Sequence, residues 1–171
     1  GMTTRHILSV RTVLADGSVL ELPRDGGGID WRGAFIGSEG TFGITVQATV
    51  RLIPRPQCVR TFLVSYNSLE ASCDAVTNII ARGLRPAALE ILDRLTIKAV
   101  EASVFRAGYP RDAEAVLLIE LEGLPQELEE ATQKVREACL SAASIDFEEA
   151  DDEASRERLW RGRKGAFGAM G

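Results

Sequence analysis

Hydrophobic positions recur with two different periods along this chain, and the period changes near residue 56. Before that point they tend to alternate. Leu8, Val10 and Leu14 stand between polar neighbours, Asp16-Gly17 follows, and Val19 and Leu20 come next. An Asp-Gly pair between two such runs predicts a β-hairpin with a type I′ turn, which needs positive φ. Asp25-Gly26-Gly27-Gly28 predicts a flexible loop. Ile44, Val46, Ala48, Val50 and Leu52 then fall at every second position. That spacing predicts a strand with one buried face, ended by Pro54 and Pro56, whose nitrogens cannot donate to a ladder.

After Pro56 the pattern lengthens to helical spacing interrupted by short apolar runs. Residues 60–66 predict a strand. Ser68 is placed to cap a helix with the stripe Leu69, Cys73, Val76 and Ile80, and Gly83 to stop it. Residues 87–92 predict a second strand, and Asp93 caps a helix carrying Ile97, Val100 and Val104. Residues 115–121 are apolar enough for a buried strand. Pro125 suits a helix start, and Leu128, Ala131, Val135, Ala138, Cys139 and Ala142 mark that helix's inner face. Residues 144–147 predict a short strand, and Asp151 or Asp152 the start of a last helix. The order β-α-β-(α)-β-α-β-α predicts an α+β, ferredoxin-like unit: a split βαβ with an antiparallel sheet and helices on one face. The boundary between the two regions falls at Pro54-Arg55-Pro56.

Composition narrows the function classes. With 171 residues, 45% hydrophobic and 26% charged, the chain suits one ordinary domain or two small ones. A net charge of −5 speaks against a general nucleic-acid binder. No run reaches the length of a membrane span. Cys58, Cys73 and Cys139 form no CxxC pair, and His6 is the single histidine. A disulfide framework, a zinc site and a Ser-His-Asp triad are therefore not expected, and no metal ligands are assigned. The cysteines read as small apolar residues in a reducing cytoplasm. Gly1 ahead of Met2 reads as a scar of tag removal.

The most distinctive stretch is Gly37-Ser38-Glu39-Gly40-Thr41-Phe42-Gly43-Ile44. Glycines let a backbone bend sharply or approach a ligand closely. Free N–H groups, with the Ser38 and Thr41 hydroxyls, can bind phosphate or carbonyl oxygens. No Gly-Lys-Ser/Thr follows, so this is not a Walker loop, and the Gly37, Gly40, Gly43 spacing ahead of a strand is not a nicotinamide fingerprint. A structural turn and a ligand loop remain equally open on these residues. Glu39 either accepts hydrogen bonds from the loop amides or is purely structural.

Residues 35–44, followed by Ala48-Thr49-Val50-Arg51-Leu52-Ile53-Pro54, resemble the "GSEGTLGI…ATLRLxPxP" segment of FAD-linked oxidases of the vanillyl-alcohol-oxidase superfamily, with Phe42 in place of the usual leucine. Pro86-Ala87-Ala88-Leu89-Glu90-Ile91-Leu92-Asp93 resembles that family's "PxAxExMD" segment. Residues 159–167, Leu-Trp-Arg-Gly-Arg-Lys-Gly-Ala-Phe, resemble its "LWxGRKxAF" segment. The similarity is strongest to the glycolate oxidase and D-lactate dehydrogenase type.

The resemblance implies that 1–56 is the C-terminal part of an FAD-binding domain and 57–171 an incomplete substrate or cap domain. It implies FAD contacts from Gly37, Ser38, Gly40, Thr41, Gly43 and Ile44, and a carboxylate contact from Arg163 to a small 2-hydroxy acid. It also implies that the pyrophosphate loop and the catalytic base lie outside this chain. The chain alone is then expected to bind FAD weakly or not at all, to be inactive, and to expose apolar surface on its first strands, open to self-association or to other oxidase subunits. Without the resemblance, Arg161, Arg163 and Lys164 read as basic residues complementing a helix C-terminus. The alternative reading of the whole chain is a non-enzymatic ferredoxin-like binding module.

Overall fold

The computed structural model describes residues 3–171, so the reading of Gly1 and Met2 lies outside the described residues. The chain separates into two compact units, Gly1–Arg55 and Pro56–Gly171.

In the first unit, a 3-10 turn (Thr3–Arg5) leads into β1 (Ile7–Val13) and β2 (Val19–Pro23). A one-turn helix α1 (Trp31–Phe35) and β3 (Ile44–Val50) follow. The sheet is antiparallel in the order β2-β1-β3. The hairpin forms where Asp16-Gly17 predicts it, but the turn type differs. Gly17 N donates to Leu14 O and Leu14 N to Ser18 O, and only Gly17 has positive φ, +82°. This is a three-residue loop closed by a left-handed glycine, not a type I′ turn. Asp16 instead accepts from Ser18 N at 2.9 Å and Ser18 Oγ at 2.7 Å.

Helix α1 carries no periodic signal because it is one turn long. It is held by capping and by an ion pair. The Asp30 carboxylate accepts from Gly33 N at 3.1 Å and pairs with Arg32 at 2.8 Å. Arg32 is buried and also donates to the carbonyls of Thr4 and Ile7. It thereby ties α1 to the start of β1.

The expected buried face of β3 is not buried. All seven of its residues are exposed, Ile44 at 62%. Helix α1 packs toward β2, around a hollow lined by Leu20, Leu22, Trp31, Ala34 and Phe35. Among the described residues, nothing in the unit covers the apolar side of β3. Only Val10, Thr12 and Arg32 are buried among the described residues of this unit. The strand also stops at Val50, before Leu52.

The second unit runs β4 (Cys58–Tyr66), α2 (Leu69–Ala81), β5 (Ala88–Asp93), α3 (Arg94–Ala102), β6 (Ala115–Gly123), α4 (Pro125–Ser141), β7 (Asp146–Glu149) and α5 (Glu153–Met170). Its sheet is antiparallel in the order β5-β6-β4-β7. Strand β6 lies between β4 and β5, which is the split βαβ arrangement. Phe62, Val64, Tyr66, Leu117 and Ile119 point to the face that α2 and α4 cover with Ala75, Ile79, Val135 and Ala138. Helices on that face match the ferredoxin-like expectation. In addition, α3 and α5 cover the opposite face, where Leu63, Leu92, Val116 and Leu118 meet Ile97, Val100, Leu159 and Ala166. Covered on both sides, β6 reads as a continuous apolar run rather than an alternation.

Two helix faces depart from the expected pattern. On α2 the inner residues are Ser72, Ala75 and Ile79, whereas Leu69, Cys73 and Ile80 are exposed. Ser72 can turn inward because its hydroxyl donates to Leu69 O at 2.6 Å, which removes the cost of burying it. On α3 the helix ends at Ala102, and Val104 lies beyond it, 87% exposed. The predicted caps Ser68 and Asp93 accept from Ala71 N and Thr96 N, and Asp152 rather than Asp151 starts α5.

Candidate functional site

The glycine-rich loop connects α1 to β3 in the first unit. Its conformation depends on left-handed residues: φ is +82° at Gly37, +51° at Glu39, +81° at Gly40 and +152° at Gly43. At Gly43 a Cβ would lie 2.8 Å from Val13 O and 2.9 Å from Thr12 Cγ2. That position is fixed by the close approach of β1.

Ser38 O accepts from Thr41 N at 3.0 Å and from Thr41 Oγ1 at 2.7 Å. The Thr41 hydroxyl proton is therefore used inside the loop. The amides of Glu39, Gly40 and Phe42 have no partner among the described residues, nor does the Glu39 carboxylate. Beside the loop, Val13, Leu14, Ala15, Phe42 and Val46 line a shallow apolar hollow with Gly40, Gly43 and Ile44. Phe42 meets Phe35 edge-on, with centroids 6.3 Å apart. Free amides over an apolar floor fit the edge of a flat, polar-rimmed cofactor such as FAD. Of the residues in the motif, Gly40, Thr41, Gly43 and Ile44 line this hollow, and Gly37 and Ser38 lie in the loop ahead of it.

Arg163 lies in the second unit, in the middle of α5. The last turn of α5 holds no basic residue, so the helix-terminus reading of Arg161, Arg163 and Lys164 does not apply. Arg163 instead reaches Glu90 on β5. Its Nε donates to Glu90 Oε2 at 3.0 Å, and its Nη2 lies 2.9 Å from the same oxygen. The two side chains are 40% and 36% exposed. The "PxAxExMD" and "LWxGRKxAF" segments, far apart in sequence, thus meet through one ion pair.

That pair is one of three between this face of the sheet and α5. Glu120 on β6 is buried, and its Oε2 accepts from Trp160 Nε1 at 2.6 Å, Thr61 Oγ1 at 2.9 Å and Arg156 Nη1 at 3.4 Å. Glu148 on β7 pairs with Arg158. Glu90, Glu120 and Glu148 were not singled out from the sequence. The signal available was a carboxylate inside an apolar strand, as in Leu89-Glu90-Ile91 and Ile119-Glu120-Leu121, on a face that otherwise points to a core.

Two glycines set how closely α5 can approach. A Cβ on Gly162 would lie 2.6 Å from Tyr109 Cζ, and one on Gly165 would overlap Phe105. Tyr109 is buried under the helix and donates its hydroxyl to Leu159 O. Burial pushes its phenol up to about 12. A concave surface lined by Phe105, Arg158, Trp160, Arg161, Lys164 and Phe167 runs along α5, but Arg163 is not part of it. Among the described residues no helix is long and apolar enough to cross a membrane, and no three of His, Cys, Asp and Glu come together as a metal site.

The second unit is an α+β domain with a split βαβ sheet whose outer helix α5 carries an arginine-rich polar seam. Residues 55–171 match the family model described as FAD linked oxidases, C-terminal domain, and the chain belongs to that family, whose cofactor is FAD. The whole chain is 42% identical over 174 residues to the glycolate oxidase subunit GlcD of Escherichia coli (strain K12), covering 100% of this chain and 35% of that protein. It is 33% identical to the same subunit of Bacillus subtilis (strain 168), covering 99% and 37%. A probable mitochondrial D-lactate dehydrogenase of Danio rerio is 30% identical, covering 98% and 34%. The chain therefore spans about a third of the length of the curated relatives it matches.

Solved structures share the fold. An alkyldihydroxyacetonephosphate synthase matches with a TM-score of 0.70 at 20% identity, over 99% of this chain and 33% of that one. A p-cresol methylhydroxylase matches with a TM-score of 0.68 at 15% identity, over 97% and 40%.

Proposed function

We propose that this chain forms part of an FAD-dependent oxidoreductase acting on a small 2-hydroxy acid of the glycolate or D-lactate class. In this reading residues 1–56 contribute to the FAD-binding domain and residues 57–171 to the substrate-side cap. The relatives named for glycolate and D-lactate support the substrate class. The single observation that carries it is the half-exposed guanidinium of Arg163, whose Nη1 has no partner among the described residues. A fixed cation with a free N–H is what an acid carboxylate requires, and a guanidinium offers it without ever losing its charge.

The roles of the chain's own residues follow. Arg163 would hold the carboxylate and so orient the α-carbon. The amides of Glu39, Gly40 and Phe42, with Gly37, Ser38, Thr41, Gly43 and Ile44 around them, would lie along FAD. When bound, FAD accepts the hydride from the α-carbon. No residue of this chain is assigned as the base. The exposed apolar side of β3 is the surface that further chain or a partner subunit would cover.

The test is anaerobic flavin reduction in an FAD-loaded protein containing this chain. Glycolate or D-lactate should bleach the flavin band. Arg163→Met should raise the acid concentration needed by roughly 10- to 100-fold, the loss of a charge-assisted contact. No bleaching by either acid, or an unchanged requirement in Arg163→Met, refutes the reading.

A further inference from the structure

We infer that Glu90 is the positioning residue for Arg163, holding one edge of the guanidinium so that the opposite end is presented to a substrate carboxylate. This rests on the proposal that Arg163 is the carboxylate site. Both contacts of Arg163 go to one oxygen of Glu90: Nε at 3.0 Å and Nη2 at 2.9 Å, each to Oε2. The Nε–Nη2 edge is thereby occupied and the Nη1 end is left free. A guanidinium on a long side chain loses rotamer freedom when it binds an anion, and a partner that already fixes it removes that cost.

The backbone on either side is rigid enough to make this useful. Glu90 sits within β5, paired to Leu118 of β6. Arg163 sits between Gly162 and Gly165, where α5 is pressed against Tyr109 and Phe105. Neither backbone position can shift without moving a strand or a packed helix, so the two side chains start from fixed points. Glu90 is not a catalytic residue in this account, because it acts only through Arg163.

Glu90 also places a negative charge near the incoming anion, which weakens binding. Orientation and repulsion therefore oppose each other, and a simple deletion of Glu90 confounds them. Comparing two neutral replacements separates the effects. Glu90→Gln keeps an oxygen that can accept from Nε and Nη2, whereas Glu90→Ala keeps none.

The experiment is a glycolate titration of the FAD-loaded protein that contains this chain, followed by NMR at the Arg163 Nε–H. Fold is checked by circular dichroism, and Glu90→Leu replaces Glu90→Ala if the smaller side chain is poorly tolerated. Glu90→Ala should bind glycolate about 3- to 10-fold more weakly than Glu90→Gln, the expected cost of ordering one long side chain. Its Nε–H should exchange with water faster. In an Arg163→Lys background, followed at backbone amides, the Ala and Gln variants should bind alike, because an ammonium has no edge to orient.

Equal affinity of Glu90→Ala and Glu90→Gln overturns the inference, and so does a difference that persists beside Lys at 163. Failure of the parent reading looks different: Arg163→Ala would then bind glycolate as the unaltered chain does.

Discussion

Trp160 donates its indole N–H to Glu120 Oε2 at 2.6 Å, and through that bond α5 is fastened to a carboxylate in the middle of β6. Thr61 and Arg156 donate to the same oxygen. A buried carboxylate is tolerated only when its donors are in place. Trp160→Phe removes one donor and should cost about 1.5–3 kcal/mol, the range for a hydrogen bond to a charged group. Glu120→Ala leaves the buried Thr61 hydroxyl and the Trp160 indole N–H without their acceptor, while Arg156 keeps Glu153, and should cost more, about 2–6 kcal/mol. Urea unfolding with an unchanged slope would measure both. A milder effect for Glu120→Ala than for Trp160→Phe would show that the cluster does not hold α5.

The glycines of α5 predict effects of opposite sign. Replacing a glycine by alanine in an exposed helix interior typically stabilises by up to about 1 kcal/mol. Gly168 is exposed, and an added Cβ would meet only the far edge of the Phe105 ring at 3.2 Å. Gly168→Ala should therefore be neutral or mildly stabilising. Gly162→Ala and Gly165→Ala should each destabilise by about 1–3 kcal/mol through overpacking against Tyr109 and Phe105. Thermal denaturation of the three variants checks the contrast. Equal shifts for all three would mean that α5 does not lie as close to the Phe105–Tyr109 segment as described.

The same contacts explain what could and could not be read from the chain. Ser68, Asp93 and Pro125 act locally, so their helix starts were visible in a few residues. The order of strands and helices was enough to expect a split βαβ sheet. The inner face of α2 was not legible, because Ile79 and Ile80 are adjacent and an inward Ser72 depends on a bond to Leu69 O. Helix α1 was missed because its stability comes from Arg32, whose partners lie near residues 4 and 7. At the candidate site, Arg163 was marked by its motif. Its partner Glu90 was not, since their pairing spans 73 positions and exists only once α5 is laid across the sheet.

The three thiols should react in a fixed order. Cys73 is exposed on α2, Cys58 is half-buried at the start of β4, and Cys139 is buried in α4. Burial also pushes the Cys139 thiol up, which lowers the thiolate fraction that reacts. A thiol-specific reagent should modify Cys73 first, Cys58 more slowly, and Cys139 only on unfolding. Peptide mapping of a time course reads the order. Early labelling of Cys139 in the folded chain would contradict the packing of α4 on the sheet.

Alkaline pH should unfold the second unit through its tyrosines. The chain has two, Tyr66 and Tyr109, and both are buried in that unit. Burial raises the phenol of Tyr109 to about 12 and that of Tyr66 further. In the unfolded chain each ionises near pH 10. Below about pH 10 both states keep their protons, so the tyrosines add no pH dependence. Between about pH 10 and 12 the unfolded state releases protons and the native state does not, so stability falls as pH rises, by about 1.4 kcal/mol per pH unit for each tyrosine. Above the native value the contribution of Tyr109 is fully lost. The phenolate absorbance should therefore remain low past pH 10 and then rise together with the loss of circular dichroism. A smooth phenolate titration near pH 10 in a chain that keeps its fold would show that Tyr109 is open to water, and with it the seam between α5 and the Phe105–Tyr109 segment.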